Sequence, residues 1–489
     1  MENSDLLTTE QLLQILRRFN PWWIGAYARE WPLHRSAFGE ICKWMIRPPS
    51  HRTILLSGAR RVGKTTLLYQ VVENLINDQK IDPLKIAYIS MDHPALKIAG
   101  LDKVLEIYQN YILGERKGTR FLMLDEIQSA DNWSARLKLL TDMDKDARII
   151  ATGSSLSLRE GDVESGTGRF HNIKIPTLSF YEFMIIRKLP LPEIDIQRYR
   201  LPKLFDLNAT EREILKIQFE PIAKYFASYL IRGGFPETAM MDSDSEAQRI
   251  LREDVVERVL KRDLTVAFRA RNIVDIEKLF IYLCMNLGCI VELSTIAAAL
   301  ETPKGSVKKY LSYLEDANLI YKLSPYKLGG KKALKAKYKY YLVDASLANA
   351  VLLRGNELFE NPVELGKTVE TTVFKHIFTR FYAQHPQSFG YWRDPKTNQE
   401  VDIIVSFPQS SIPFEIKYRN QIDLADIAGL LTFVKQERSK RAYCISRELK
   451  DFDIVHQNDL ETPILKIPAY IFCYLCGLAE TIEAATGFE

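Results

Sequence analysis

A glycine-rich turn between an apolar strand and a helix constrains this chain more than any other stretch. The residues TILLS (53–57) are mostly apolar, GARRVGKT runs from Gly58 to Thr65, and a helical run, TTLLYQVVENLI, begins at Thr65. The turn satisfies the pattern G-x-x-x-x-G-K-[ST] in its working context of strand, turn and helix. The glycines let backbone N–H groups curl around phosphate, and the helix adds the positive end of its dipole.

The same stretch and a second strand predict a site for ATP and Mg²⁺. Lys64 is expected to reach the β- and γ-phosphate oxygens, and Thr65 to offer its hydroxyl to Mg²⁺. FLMLDE (121–126) is typical of a buried strand that ends in two acids. Asp125 is expected to hold Mg²⁺, and Glu126 to polarise the attacking water. The predicted nucleotide-binding residues are Gly58, Ala59, Arg60, Arg61, Val62, Gly63, Lys64, Thr65, Thr66, Asp125, Thr152 and Ser154.

Two polar segments are weaker candidates for the same site. Thr152 and Ser154 follow the strand RIIAT (148–152), where their hydroxyls could sense the γ-phosphate or belong to an ordinary loop. Arg169 lies in a glycine-containing segment, where it could act as an arginine finger, also on a neighbouring subunit, or be a solvated surface arginine. The residues leave these alternatives open.

Chain length and patterning predict several domains in a cytoplasmic protein. A chain of 489 residues is too long for a single hydrophobic core. Short apolar strands alternate with helices between 53 and 176, which favours a parallel α/β sheet. No apolar run approaches the roughly 18 residues that span a bilayer, so no membrane partner is expected. Six cysteines without a disulfide rhythm suit a reducing compartment.

The segment from Leu293 to Asp344 is a candidate DNA-binding module. It reads as helix, turn, helix and hairpin, the order of a winged helix, with Lys304 and Lys308 on one side of the second helix. The hairpin is rich in lysine and tyrosine and could lie along a phosphate backbone. Domain packing with solvated lysines is the alternative, since a net charge of +4 permits a polyanion without requiring one. The hairpin lysines are Lys327, Lys331, Lys332, Lys335, Lys337 and Lys339.

A second cluster of acids is predicted near the C-terminal end, in QEVDIIVSFPQSSIPFEIKYRN (399–420). The turn SFPQSS folds the strand of Asp402 back beside that of Glu415 and Lys417, which point to one face. Glu370, on an upstream amphipathic helix, and Glu400 add further carboxylates. Clustered carboxylates repel, and one or two Mg²⁺ ions would relieve this and activate water for phosphodiester cleavage, while Lys417 neutralises developing charge. A salt-bridged hairpin in a structural domain is the alternative.

Several motifs together resemble one group of AAA+-superfamily ATPases. They are GARRVGKTTLL, LMLDEIQ, ATGSS, GRF followed by PTLSFYEF, and YLIRGGFPE. In that group the P-loop domain is joined to a C-terminal region similar to restriction-endonuclease-type, or PD-(D/E)XK, nucleases. The resemblance runs from about Asn20 to near Tyr418. It implies a strand between the P-loop strand and the Asp125 strand, a helical lid around 215–275, Arg169 in the ATP site, and oligomers, including rings.

The nuclease pattern matches residue by residue, with one departure. Glu370 stands on the helix, Asp402 on one strand, and Glu415 and Lys417 on the next, whereas Val401 replaces the usual proline before the aspartate. By this resemblance Glu370, Asp402 and Glu415 are the metal ligands, and Asp402, Glu415 and Lys417 are catalytic.

The predicted fold class is α/β multidomain. Five segments are expected: an N-terminal helical segment (1–50), a P-loop AAA+ ATPase core (51–205), a helical lid or linker (206–289), a winged helix (290–345) and a PD-(D/E)XK nuclease-like α/β domain (360–489). The preferred function is ATP hydrolysis coupled to DNA binding or remodelling, with Mg²⁺-dependent cleavage. The alternative is an ATP-controlled switch whose nuclease-like domain is inactive and only binds DNA or a protein.

Overall fold

The computed structural model describes residues 7–25, 27, 29–153, 168–195, 197–265, 272–327, 336–382, 388–457 and 460–486. The chain divides into two compact units. The first comprises Met1–Pro176 with Thr481–Glu489, and the second comprises Thr177–Glu480. None of the helices in these described ranges is both long enough and apolar enough to cross a bilayer.

The first unit is built on a five-stranded parallel sheet. Its strand order is β2-β3-β4-β1-β5, and the pairings are parallel throughout. The strands are β1 (Thr53–Ser57), β2 (Ile86–Ser90), β3 (Arg120–Asp125), β4 (Ala147–Thr152) and β5 (Phe170–Lys174). The predicted parallel sheet is therefore confirmed. So is the strand that the resemblance places between the P-loop strand and the Asp125 strand, because β4 lies between β1 and β3.

Helices of the first unit pack on this sheet through apolar residues. Leu16, Val104 and Leu137, from three different helices, belong to the same buried cluster as Leu55 and Leu124 of the strands. The helices are α1 (Thr9–Phe19), α2 (Ala37–Ile46), α3 (Lys64–Asn77), α4 (Pro94–Ala99), α5 (Leu101–Tyr108), which continues as a π-helical turn (Gln109–Leu113), and α6 (Trp133–Met143).

The segment after α1 is attached to the edge strand β2. The side-chain amide of Asn20 donates to the Tyr88 carbonyl at 2.9 Å and accepts from the Tyr88 amide at 2.6 Å. The indole nitrogens of Trp22 and Trp23 both donate to the Ile86 carbonyl, at 3.0 and 2.8 Å. These bonds satisfy backbone groups that an edge strand would otherwise expose. The N-terminal segment is thereby part of the first unit.

The second unit contains a mixed sheet of nine strands in the order β13-β14-β12-β11-β10-β9-β7-β8-β6. The strands are β6 (Ile290–Val291), β7 (Ile320–Pro325), β8 (Tyr338–Leu342), β9 (Ser388–Arg393), β10 (Glu400–Phe407), β11 (Ser410–Ile416), β12 (Ala442–Ser446), β13 (Asp453–Val455) and β14 (Ile464–Pro468).

Helices precede this sheet, connect some of its strands and follow its last strand. They are α7 (Phe180–Ile186), α8 (Ala209–Phe219), α9 (Ala223–Arg232), α10 (Pro236–Met240), α11 (Asp244–Ile250), α12 (Ile273–Met285), α13 (Leu293–Ala299), α14 (Lys304–Asp316), α15 (Ser346–Val351), α16 (Pro362–Tyr382), α17 (Ala428–Glu437) and α18 (Ala469–Thr486). Two π-helical turns, Leu251–Glu257 and Val259–Asp263, follow α11.

One sheet joins the strands that follow α13 and α14 to the C-terminal strands. After α13 and α14, strand β7 pairs with β8 as an antiparallel hairpin, and β7 also pairs in parallel with β9. Strand β10 pairs with both β9 and β11, with Ile403 opposite Phe414 in the predicted hairpin. This continuity places β8 and β10 in the same layer, although long stretches of sequence separate them.

A buried polar network stabilises the middle of the second unit. The Asp344 carboxylate accepts hydrogen bonds from Thr177 Oγ1 at 2.8 Å, the Gly234 amide at 3.0 Å and Ser346 Oγ at 2.7 Å. Lys375 Nζ lies 3.2 Å from the same carboxylate. A side chain at Gly234 would collide with the backbone of Leu178. The motif YLIRGGFPE therefore has a structural role, since its second glycine allows this close approach.

Candidate functional site

The Lys64 side chain folds back onto the backbone of the predicted phosphate-binding loop. Gly63 precedes α3 with φ 94°, in the left-handed region that glycine favours. Lys64 begins the helix, is buried, and its Nζ donates to the carbonyls of Gly58 and Ala59 at 3.0 Å each. A side chain at Gly58 would collide with the Ile175 carbonyl oxygen. This arrangement directs the ammonium and the helix N-terminus to the position that the sequence predicts for phosphate.

Hydroxyl groups from three elements converge on Asp125, at the end of β3. Its Oδ2 accepts from Thr65 Oγ1 at 2.8 Å and from Tyr88 OH at 2.7 Å, while Oδ1 accepts from Thr152 Oγ1. The amide of Glu126 donates to Thr152 Oγ1 at 3.1 Å. A carboxylate beside a hydroxyl supplies the oxygen ligands that Mg²⁺ prefers, so Thr65 and Asp125 fit the ion that accompanies ATP. Thr152 is brought to the same place.

Glu126 has the environment of a proton acceptor. The residue adopts a left-handed backbone with φ 50°, and its carboxylate contacts the Gln128 side chain. Burial raises the pKa of Glu126; Lys64 opposes that shift, and Asp125 adds to it. A carboxylate whose pKa is raised toward neutrality accepts a proton from water more readily than an exposed one.

Tyr88 is a site residue that the sequence analysis missed. It lies in β2, which pairs with β3 so that Tyr88 faces Met123 across the ladder. Burial and the Asp125 carboxylate both raise the pKa of Tyr88, so it stays a hydrogen-bond donor. No local motif marks this tyrosine, because its role depends on which strand neighbours β3.

Arg169 is not placed among these groups. The Arg169 guanidinium pairs with Asp142 of α6, with Nε 2.9 and 2.8 Å from the two carboxylate oxygens. An arginine finger therefore stays a prediction, as does the oligomer in which it would act. Ser154 lies outside the described residues.

The predicted DNA-binding lysines fall into three groups. Lys304 and Lys308 are exposed on α14, which buries Val307, Leu311 and Leu314 as predicted. Lys327 and Lys337 are exposed, but they pair with Glu437 at 2.5 Å and with Glu292 at 2.9 Å, respectively. Three further lysines, Lys331, Lys332 and Lys335, lie outside the described residues.

The predicted C-terminal acids do converge. Asp402 lies on β10 and accepts from the Ile416 amide at 2.9 Å. Glu415, on β11, is 3% exposed and pairs with Lys417 Nζ. Its other oxygen, Oε2, has no hydrogen-bond partner in the described part of the chain. Glu370 projects from α16, on which Val369, Val373 and Ile377 are buried, and its Oε1 accepts from Tyr341 OH at 2.6 Å.

Lys339 corrects one expectation of the sequence analysis. It was expected on the lysine-rich hairpin as a phosphate-backbone contact, but it is only 2% exposed. Its Nζ contacts Glu400 Oε1 and lies 3.8 Å from Glu370 Oε1 and 3.6 Å from Asp402 Oδ1. Strand alternation turns this side chain into the unit, so it cannot lie along a nucleic acid.

Burial and mutual repulsion dominate the electrostatics of these acids. Burial, assisted by Asp402, raises the pKa of Glu370 to about 7 and that of Glu415 to about 8, although Lys339 and Lys417 respectively oppose these shifts. Burial lowers the pKa of Lys339, but Glu370, Asp402 and Glu400 outweigh it, so the net shift is upward and the ammonium stays charged.

A divalent ion does not fit this cluster as it stands. Within the described ranges, no three histidine, cysteine, aspartate or glutamate side chains are arranged to hold a metal ion. The Lys339 ammonium lies among the carboxylates that would have to converge on the ion. The metal roles of Glu370, Asp402 and Glu415 therefore stay a prediction, and we derive no step through a metal here.

Comparison with known families identifies an AAA-type domain. Residues 50–184 match a family described as AAA domain, which covers the phosphate-binding loop, Asp125 and Thr152. Residues 223–358 and 365–470 match two domains of unknown function, DUF8612 and DUF4143. Lys304, Lys308 and Lys339 fall in the first of these, and the C-terminal acids fall in the second.

Relatives of similar length occur in archaea and bacteria. The chain is 25% identical over 410 residues to an uncharacterized protein of Methanocaldococcus jannaschii, covering 83% of this chain and 80% of that protein. It is 25% identical over 336 residues to an uncharacterized protein of Haemophilus influenzae, covering 67% and 75%. Among solved structures, the Aeropyrum pernix ORC1 protein in complex with DNA matches with a TM-score of 0.28 and 14% identity, covering 68% and 96%.

Proposed function

We propose that this protein hydrolyses ATP in its first unit and couples hydrolysis to DNA binding by its second. The observation that carries the first half is the convergence of Thr65, Tyr88 and Thr152 on the Asp125 carboxylate, beside Lys64. The AAA-type domain that spans these residues supports the same conclusion.

Each residue has a role that follows from its contacts. Lys64 donates to the Gly58 and Ala59 carbonyls in the free protein. When ATP binds at the same loop, Lys64 gives up these bonds and donates to phosphate oxygens instead. Thr65 and Asp125 would hold Mg²⁺, which supplies charge compensation to the phosphates when bound. Glu126 takes a proton from water. Thr152, bonded to Asp125 and to the Glu126 amide, positions both acids.

Steady-state ATP hydrolysis tests this half. Lys64→Ala is expected to lose nucleotide binding, whereas Glu126→Gln is expected to bind ATP and to lose turnover by roughly 100-fold or more. Lys97→Ala, which removes an exposed lysine from α4, is the matched control. Undiminished turnover in Glu126→Gln would exclude Glu126 as the base, and normal ATP binding in Lys64→Ala would exclude the loop assignment.

The second half rests on the exposed lysines of α14. Lys304 and Lys308 stand one helical turn apart on a solvent-facing side, the geometry of a helix that meets a phosphate backbone. Lysine favours backbone contacts over base reading, so the expected binding depends on salt and only weakly on sequence.

Titration of labelled linear, branched and single-stranded DNA against salt tests this interface. Lys304→Glu/Lys308→Glu is expected to weaken binding to all three and to reduce the slope of log K against log salt by about 2 for duplex DNA. Lys278→Glu, an exposed lysine of α12, is the control. Unchanged DNA binding, or ATP turnover that DNA never alters, would leave only the nucleotide half of the proposal.

A second candidate function is phosphodiester cleavage at the C-terminal acids. The observation in its favour is that Asp402, Glu415 and Lys417 converge, with a buried Glu415 oxygen that lacks a protein partner in the described residues. The same DNA panel with Mg²⁺ tests it. Cleavage that is lost in Asp402→Ala supports an active nuclease, and absence of cleavage with retained DNA binding supports the ATP-controlled switch.

A further inference from the structure

Lys339 lies inside the second unit rather than on its surface. It stands in β8 with 2% of its surface exposed. A lysine this deeply buried loses the hydration of its charge, so it persists in folded proteins where carboxylates compensate it. The carboxylates that do so here come from two other elements, the helix α16 and the strand β10.

A single ammonium bridges these carboxylates. Lys339 Nζ contacts Glu400 and lies 3.8 Å from Glu370 Oε1 and 3.6 Å from Asp402 Oδ1. The same nitrogen lies over the ring of Tyr391, 5.5 Å from the ring centroid. The face of an aromatic ring attracts a cation. The ammonium therefore holds together groups that only the tertiary structure brings near each other.

Two of the bridged carboxylates also accept hydrogen bonds from groups other than Lys339. Tyr341 OH donates to Glu370 at 2.6 Å, and the Ile416 amide donates to Asp402 at 2.9 Å. Carboxylates crowded in this way repel one another, and a cation among them relieves that repulsion. A divalent ion would need their oxygens at about 2.0–2.6 Å, whereas the ammonium already takes the central position and repels a second positive charge.

We propose that the Lys339 ammonium is the built-in cation of the Glu370, Glu400 and Asp402 cluster, taking the place of a divalent metal ion. The second unit then folds without metal, and removal of the ammonium opens a site for a divalent cation of the Mg²⁺ or Mn²⁺ class. This inference goes beyond ATP hydrolysis and DNA binding and requires neither, and it opposes the second candidate function, Mg²⁺-dependent cleavage at Asp402.

Mn²⁺ binding to the nucleotide-free full chain, followed by electron paramagnetic resonance, provides the first test. Wild type and Asp402→Asn are expected to bind the same amount of Mn²⁺, because any ion near the phosphate-binding loop is common to both. A wild-type Mn²⁺ site that disappears in Asp402→Asn would overturn the proposal, since the cluster would then accept a metal with Lys339 in place.

Thermal unfolding of Lys339→Ala provides the second test. Without metal, we expect its Tm to fall by roughly 5–15 °C, because the carboxylates lose their counter-ion. Added Mn²⁺ is expected to recover most of that loss, with a Tm that rises with the logarithm of Mn²⁺ concentration. The matched control is Lys337→Ala, which removes an exposed lysine two residues away and should match wild type.

The other possible results for the Lys339 variants also support or overturn the proposal. A folded Lys339→Ala protein that does not respond to Mn²⁺ would overturn the proposal. If that variant yields no folded protein, Lys339→Ala/Glu400→Gln removes one charge of each sign and is expected to fold and bind Mn²⁺ through Glu370 and Asp402. A folded double variant that binds no more Mn²⁺ than wild type would count equally against the built-in cation.

Discussion

Thr65 Oγ1 donates a hydrogen bond of 2.8 Å to Asp125 Oδ2, which joins the first turn of α3 to the end of β3. Thr65→Val is expected to lower ATP turnover by roughly 10–100-fold, because the hydroxyl that fits Mg²⁺ is lost while the volume is kept. Thr65→Ser restores the hydroxyl and is expected to retain most of the activity. Mg²⁺-dependent ATP hydrolysis measures both, and equal activity in the two variants would contradict the assignment.

Tyr88 supports the same carboxylate from the neighbouring strand, at 2.7 Å. Tyr88→Phe is expected to destabilise the first unit by about 1–3 kcal/mol, because the buried Asp125 carboxylate loses one of its donors. ATP turnover is expected to fall several-fold. Thermal unfolding and hydrolysis are measured together, with Tyr111→Phe, a tyrosine that is 60% exposed, as control. Identical behaviour of the two variants would show that the Tyr88 hydroxyl is dispensable.

The buried pair of Asp344 and Lys375 predicts a large effect on stability. Asp344→Asn is expected to cost about 3–5 kcal/mol, because it leaves the Lys375 ammonium buried without its counter-ion. Asp344→Asn/Lys375→Met is expected to recover part of this loss. Urea denaturation followed by circular dichroism measures it. Asp242→Asn, at an exposed ion pair, is the control, and a comparably small effect at Asp344 would contradict this role.

The buried His376 predicts that the second unit loses folding stability as the pH falls. Its Nε2 accepts from the Phe180 amide at 3.0 Å, and its Nδ1 lies 2.8 Å from the Thr372 carbonyl, so both nitrogens are used by the neutral ring. Burial, reinforced by Lys375, lowers the pKa of His376 to about 3. The unfolded chain titrates near 6.5. The lowered pKa stabilises the folded state at neutral pH, and this contribution is lost as the pH falls from 6.5 toward 3.

At pH 5 the His376 contribution to the free energy of unfolding is expected to be about 2 kcal/mol smaller than at neutral pH. His376→Gln is expected to be less stable at pH 7 but to lose less stability between pH 7 and 4. Urea denaturation across this range measures how steeply the free energy of unfolding falls with pH. The control His456→Gln, at an exposed histidine, should keep the wild-type slope. An unchanged slope in His376→Gln would mean that His376 does not cause this loss of stability.

The sequence by itself determined the features that depend on neighbouring residues. The glycine-rich turn after β1, the strands β1, β3 and β4 of the first sheet and the hairpin of β10 and β11 follow from contiguous motifs and from alternation of apolar residues. Backbone geometry and hydrophobic periodicity act over a few residues, so a linear pattern contains them. The convergence of Asp402, Glu415 and Glu370 was also predicted, because a known nuclease pattern supplied the long-range arrangement.

Only the tertiary structure decided which distant side chains complete each site. Tyr88 reaches Asp125 because β2 pairs with β3, and Lys339 reaches Glu400 and Asp402 because β7 and β9 join two hairpins in one sheet. A lysine in a lysine-rich segment is expected to be exposed to solvent. In a strand, however, neighbouring side chains point to opposite faces, so a shift of one position decides whether the lysine is exposed or buried. Strand order and register are set by packing of the whole unit, and no local pattern contains them.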